Sequence, residues 1–157
     1  MTDYTININN QTVVVAADPD TPLLYVLRQA GYHSVRFGCG LEQCGCCKVL
    51  VNSQPVYACT RKISDLHDAD IVTLEGHEEI ADLQQIRQAF LDENAGQCGF
   101  CLSGIIMTAL DLLSHNPQPT REEIKESLAD NLCRCGAHNR IIRAIQRAAK
   151  SVNILNE

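Results

Sequence analysis

Apolar and polar positions alternate twice near the start of the chain, over Tyr4 to Ile8 and over Thr12 to Val15, with Asn9-Asn10 between them. Period-two patterning around an Asn pair predicts a β-hairpin. The period then changes. Asp20-Thr21-Pro22 places capping residues before a proline at the first helical position, and Leu23, Leu24, Leu27 and Ala30 repeat at helical spacing until Gly31. This predicts a short helix from about Pro22 to Ala30. Apolar stretches at Val49 to Val51 and Val56 to Ala58 flank the polar Asn52-Ser53-Gln54 as a second hairpin, and Asp70 to Leu74 reads as a last strand.

After Glu75-Gly76-His77 the spacing is helical throughout. Leu83, Ile86 and Phe90 form one stripe; Ile105, Ile106, Ala109, Leu110 and Leu113 a second; Ile124 and Leu128 a third; Ile141, Ile142, Ile145 and Ala149 a fourth. Thr120 with Glu123 has the form of a capping box, and Pro117 and Pro119 punctuate the turn before it. The expected fold is therefore α+β in two parts. Residues 1–76 form a small sheet with one helix packed on it, a β-grasp-like domain, and residues 77–157 form an all-α four-helix bundle.

Charge and composition exclude several functions. Thirteen Lys and Arg against 19 Asp and Glu leave a formal charge of −6, with no basic cluster flanked by aromatics, so the footprint of a nucleic-acid binder is missing. No apolar run approaches the roughly 20 residues that span a bilayer. Four Tyr, three Phe and no Trp offer few surfaces for stacking a planar substrate. No Gly-x-Ser-x-Gly elbow, phosphate loop or His-Glu-x-x-His is present.

Cysteine changes the picture most. The chain has nine, and eight fall into two tight groups without a secretory start, so a reducing compartment and metal ligation are expected rather than disulfides. In Phe37-Gly-Cys-Gly-Leu-Glu-Gln-Cys-Gly-Cys-Cys, Cys39, Cys44 and Cys47 stand at Cys-x4-Cys-x2-Cys, the plant-type spacing for three thiolates of a two-iron, two-sulfur cluster. The second hairpin folds Cys59 back toward them as a fourth ligand. Cys98-Gly-Phe-Cys101 and Cys133-Arg-Cys135 make the second group; taken alone, it suits zinc, a single iron or an iron–sulfur cluster. Cys46 is the leftover thiol, read as a small residue packed behind the first site. Glu42 is read as a solvated residue of the ligand loop. His33, His67, His77, His115 and His138 share no metal spacing, and His138 alone lies close enough to Cys135 to line a site.

With both cysteine groups placed, the chain resembles the iron–sulfur subunit of the molybdenum hydroxylases, the family of xanthine dehydrogenase, aldehyde oxidoreductase and carbon monoxide dehydrogenase. The resemblance runs from Asp20-Thr-Pro-Leu-Leu to Ala149 and rests on the Phe37 to Cys47 loop, Cys59, Gln97-Cys-Gly-Phe-Cys and Asn131-Leu-Cys-Arg-Cys-Gly. It implies that Cys39, Cys44, Cys47 and Cys59 hold a distal [2Fe-2S] cluster, and that Cys98, Cys101, Cys133 and Cys135 hold the one nearest a molybdenum cofactor. It also implies pterin contacts at Gln97 and Cys135.

The implied partners are a molybdopterin-binding large subunit, where an aldehyde or N-heteroaromatic is oxidised, and an FAD-binding subunit or a cytochrome that collects the electrons. Leu102-Ser103, where the family often has Thr-Pro, and the residues at Glu42 and Cys46, where it often has Gly and Ala, look closer to the bacterial isoquinoline, nicotinate and aldehyde oxidising enzymes. The alternative is a free two-cluster ferredoxin. The expected location is the cytoplasm, with periplasmic export alongside a partner as the other route.

Overall fold

A computed structural model describes the backbone of residues 1–154 and the side chains through Lys150; positions 155–157 of the expected helical domain lie outside the described residues. β1 (Thr2–Ile8) and β2 (Gln11–Ala17) pair antiparallel through a two-residue turn in which Asn9 and Asn10 take φ of 50° and 63°. Asn tolerates this left-handed geometry, and its twist matches that of the flanking strands. β3 (Lys48–Val51) and β4 (Gln54–Tyr57) repeat the device with Asn52 and Ser53 at 50° and 62°. The second turn is thus one residue shorter than expected, because Gln54 pairs with Val51.

β5 (Asp70–Val72) lies between the hairpins, parallel to β1 and antiparallel to β3, giving the order β2-β1-β5-β3-β4. α1 (Leu23–Gln29) covers this sheet. Its Leu23, Leu24 and Leu27 are fully buried among Ile6, Ile8, Val49 and Ile71, each contributing about 1.5–3 kcal/mol of transfer free energy. Pro22 is the N-cap itself and Thr21 makes no side-chain cap, so the helix begins one residue later than predicted. Leu74 likewise leaves the last strand and opens a 3₁₀ turn, Leu74–Glu78.

Four helices follow: α2 (Ala81–Asp92), α3 (Leu102–His115), α4 (Arg121–Ser127) and α5 (His138–Ile154). The Thr120–Glu123 capping box is formed at α4. α3 is the central rod, and Ile105, Met107, Ala109 and Leu113 are buried against the other helices. Arg143 and Arg147 of α5 pair with Glu93 and Asp92 at the end of α2.

The two cores are not independent. The helical core takes in Cys44, Cys46 and Leu50 from the first half of the chain. At the contact, a Cβ on Gly104 of α3 would overlap the Gly45 carbonyl oxygen, while a Cβ on Gly45, whose φ is 71°, would stand 2.6 Å from the Asp130 carbonyl oxygen. Only glycine permits this approach of backbone to backbone.

Candidate metal centres

The loop from Phe37 to Cys47 leaves α1 and enters β3, so Cys47 is fixed at a strand end and Cys39 and Cys44 wrap before it. Backbone donors are aimed at sulfur here. The N–H groups of Leu41 and Gln43 each donate to Cys39 Sγ at 3.3 Å, and the Cys39 N–H donates to Cys44 Sγ at 3.4 Å. Burial pushes the Cys39 thiol up, but the N–H donors of Leu41, Gln43 and Cys44 outweigh it and its pKa falls to about 7. A Cβ at Gly38 would lie 2.5 Å from Cys44 Sγ, so side-chain-free backbone is required beside this sulfur.

β4 delivers Cys59. Burial first, and then Cys59 beside it, push the Cys47 thiol up to about 12. Cys39 thus lies against Cys44, and Cys47 lies against Cys59 with Cys44 near it, so the predicted set of Cys39, Cys44, Cys47 and Cys59 is brought together, with Cys44, Cys47 and Cys59 buried. Glu42 is exposed, as read, and its carboxylate accepts a hydrogen bond from Thr60 Oγ1, which fastens the loop to the residue after Cys59.

The second group comes from two loops, one before α3 and one before α5. The Phe100 N–H and the Cys135 thiol lower the pKa of exposed Cys98, whereas burial and neighbouring Cys133 raise buried Cys101 to about 12. A cavity of about 410 Å³ opens over this group, lined by Gly38, Cys44, Cys98, Cys101 and Cys133, with His138 at its edge as expected. Gln97 does not line it; Gln97 is exposed and faces a separate cleft with Arg87 and Leu102. Cys135 is half-buried. Cys46 is buried between Cys44 of one group and Cys101 of the other, and burial raises its thiol to about 12. It therefore packs behind both sites rather than behind one.

Among the described residues no three Cys, His, Asp or Glu side chains converge to hold a single metal ion. The thiols stand in pairs: Cys39 with Cys44, Cys47 with Cys59, Cys98 with Cys135, and Cys101 with Cys133. Four thiolates in two pairs is the donor set of a two-iron cluster, which takes two on each iron. Crowded buried thiols without a cation resist ionisation, and a cluster's ferric charge removes that penalty. The residues therefore fit a [2Fe-2S] group at each site.

Sequence reasoning missed the joint between the sites. The Leu132 N–H donates to the Cys44 carbonyl at 3.0 Å. Lys48, next to Cys47, is 8% exposed; its Nζ donates to Asn131 Oδ1 at 3.1 Å and lies 5.2 Å from the Tyr57 ring centre. The Thr108 hydroxyl shares its proton between the Gly104 carbonyl and the same Asn131 oxygen. The one available signal was a lysine inside an apolar strand pattern.

Residues 6–74 match the family described as the 2Fe-2S iron-sulfur cluster binding domain, and residues 73–146 that described as the [2Fe-2S] binding domain. The chain is 42% identical over 151 residues to one of the subunits of nicotinate dehydrogenase from Pseudomonas putida, covering 96% of each chain. It is 39% identical over 145 residues to the alpha chain of isoquinoline 1-oxidoreductase from Brevundimonas diminuta, covering 91% of this chain and 95% of that one. The solved structure of quinoline 2-oxidoreductase from Pseudomonas putida 86 contains a chain that superposes with a TM-score of 0.91 at 31% identity, over 98% of this chain and 96% of that chain. With two paired-thiol sites in a sheet domain and a helical bundle, this chain belongs to the iron–sulfur subunits of the molybdenum hydroxylases, carriers of two [2Fe-2S] clusters.

Proposed function

We propose that the chain is the electron-transfer subunit of a molybdenum-dependent oxidoreductase acting on an N-heteroaromatic or an aldehyde. Electrons enter from the molybdopterin centre of a separate large subunit, then leave to an FAD-binding subunit or another acceptor. Cys98, Cys101, Cys133 and Cys135 are the ligands on the entry side, and Cys39, Cys44, Cys47 and Cys59 those on the exit side. The clusters, when bound, supply one-electron redox chemistry at iron.

The protein's own part is to hold thiolates in pairs, aim N–H donors at sulfur, and keep the two sites at a fixed separation. The observation that carries this reading is the joint: the chain leading to Cys133 is hydrogen-bonded to Cys44 of the other site. Two redox sites in a rigid chain form a relay; two structural metals would not need this adjacency. Cys135 is half-buried and Gln97, next to Cys98 in the chain, is exposed, which leaves both positions open to pterin contacts, and the division near residue 76 separates the two cluster-bearing units. Names among the relatives, nicotinate and isoquinoline, favour the N-heteroaromatic as substrate. Among the described residues no helix is long and apolar enough to cross a membrane.

The complex purified through a tag on this chain tests the reading by its content of iron, molybdenum, zinc and flavin. About four irons per copy with molybdenum is expected, and flavin would identify the acceptor subunit. Iron without molybdenum would favour a free two-cluster carrier, and zinc in place of iron would overturn the cluster assignment.

A further inference from the structure

Lys48 is the buried cation of the molecule's joint. It follows Cys47 on β3, and its side chain runs across the boundary to Asn131, two residues before Cys133. Among the described residues no carboxylate oxygen lies within 4.0 Å of its Nζ. Its partners are one amide oxygen and the face of Tyr57. Removing an ammonium from water costs several kcal/mol unless opposite charge stands nearby. A neutral hydrogen bond and a ring face repay only part of that.

The remaining compensation is negative charge at longer range. Lys48 directly follows the ligand Cys47 and pairs across the hairpin with Tyr57, whose ring its ammonium covers and which stands two residues before Cys59. A four-thiolate two-iron cluster is an anion whose negative charge increases by one on reduction, so a fixed cation beside it favours the reduced form.

We propose that Lys48 is a charge-positioning residue of the relay: its ammonium, held on Asn131 between the two sites, raises the reduction potential of the cluster ligated by Cys47 more than that of the helical site. This rests on the cluster reading above. The step it biases moves one electron from the helical-site cluster, whose ferrous ion becomes ferric, to the loop-site cluster, where a ferric ion becomes ferrous. No bond forms or breaks, the reductant is the molybdenum centre of the large subunit, and the acceptor beyond is its flavin or cytochrome partner. The cation makes the outward direction downhill, and Asn131, Thr108 and Tyr57 keep it in place.

The test is a mediated redox titration of the intact complex, with the two clusters followed by low-temperature EPR in wild type, Lys48→Gln, Lys48→Arg and the exposed control Lys125→Gln. Gln at 48 keeps a donor for Asn131 and removes the charge; Arg keeps the charge. At the wild-type midpoint of the loop-site cluster, Lys48→Gln is expected to lower its reduced-to-oxidised ratio about tenfold, or about 59 mV for one electron, with a smaller change at the helical site. Lys48→Arg and Lys125→Gln stay within twofold of wild type. A Lys48→Gln complex with full iron and a ratio within twofold of wild type overturns the proposal, as do equal losses in Lys48→Gln and Lys48→Arg, which would mean packing rather than charge. If Lys48→Gln fails to assemble, Lys48→Met takes its place: it keeps the length of the side chain without the charge, and a fully iron-loaded complex whose loop-site ratio stays within twofold of wild type overturns the proposal. Wild-type protein without two cluster signals would refute the cluster reading itself.

Discussion

The two thiol sites are built by opposite strategies. The loop site gathers three of its sulfurs within nine residues, supplies N–H donors from the same loop, and buries Cys44, Cys47 and Cys59. The helical site is stitched from two loops some thirty residues apart and leaves Cys98 exposed and Cys133 and Cys135 half-buried; the cavity over Cys98, Cys101 and Cys133 reaches the loop site only at its Gly38–Cys46 edge. A local, hydrogen-bonded loop makes a site that holds its group on its own terms. A site assembled from helix ends depends on the bundle and stays open on one side, the side on which the proposed large subunit would bring its cofactor.

The largest perturbation addresses what couples the two. Gly104→Ala puts a methyl into the Gly45 carbonyl. Backbone must separate, and we expect a loss of more than about 3 kcal/mol in denaturant unfolding, with both sites affected. Near-wild-type stability would show that the halves can part without loss.

Next come the ligands, which should separate the strategies. Cys59→Ala and Cys135→Ala should each remove about two irons per copy, read by iron analysis and EPR. Cys59→Ala also opens a cavity beside the buried Cys47, so its thermal midpoint should fall further. Cys135→Ala should leave the loop-site signal intact yet abolish electron flow from substrate to the final acceptor. Equal thermal losses would erase the distinction between enclosed and open sites.

Glu75 gives a smaller effect at the hand-over from sheet to bundle. Burial would raise its carboxyl, but hydrogen bonds from the Ser34 hydroxyl, the Ser34 N–H and the Thr73 hydroxyl prevail and lower its pKa. A native pKa below the unfolded one means stability that is fully present above the ordinary carboxylate range and lost as pH falls through the native value. Glu75→Gln should cost about 1–2 kcal/mol at neutral pH, and its difference from wild type should shrink as pH falls below about 4. A constant difference across that range would mean the carboxylate charge contributes nothing.

The smallest effect is expected from Thr60→Val, which frees Glu42 and loosens the loop site alone. About 0.5–1 kcal/mol should appear as a few-fold faster loss of iron to a chelator from the loop site, with the helical site unchanged. Equal acceleration at both would point to a joint that transmits the change.

Much of this was legible from residue order. Period-two and helical spacing located the strands and all four bundle helices, and the Asn9-Asn10 turn and the Thr120–Glu123 box formed as read. Errors were confined to ends, where one residue of register decides: Gln54 joined β4, and Leu74 left β5. Glu42 is solvated as read, but its bond to Thr60, 18 positions away, left no local signal.

What sequence by itself determined is everything that depends on short-range spacing: elements set by hydrophobic period, and thiols set by Cys-x4-Cys-x2-Cys, Cys-x2-Cys and Cys-x-Cys. Such spacing fixes which groups a turn can present together, whatever lies elsewhere. Only the tertiary structure decided how the two sites meet. Gly45 against Gly104, Leu132 on Cys44, and Lys48 on Asn131 join residues 59 to 88 positions apart. No local periodicity encodes them, because close packing of two preformed surfaces selects those pairs only once both surfaces exist.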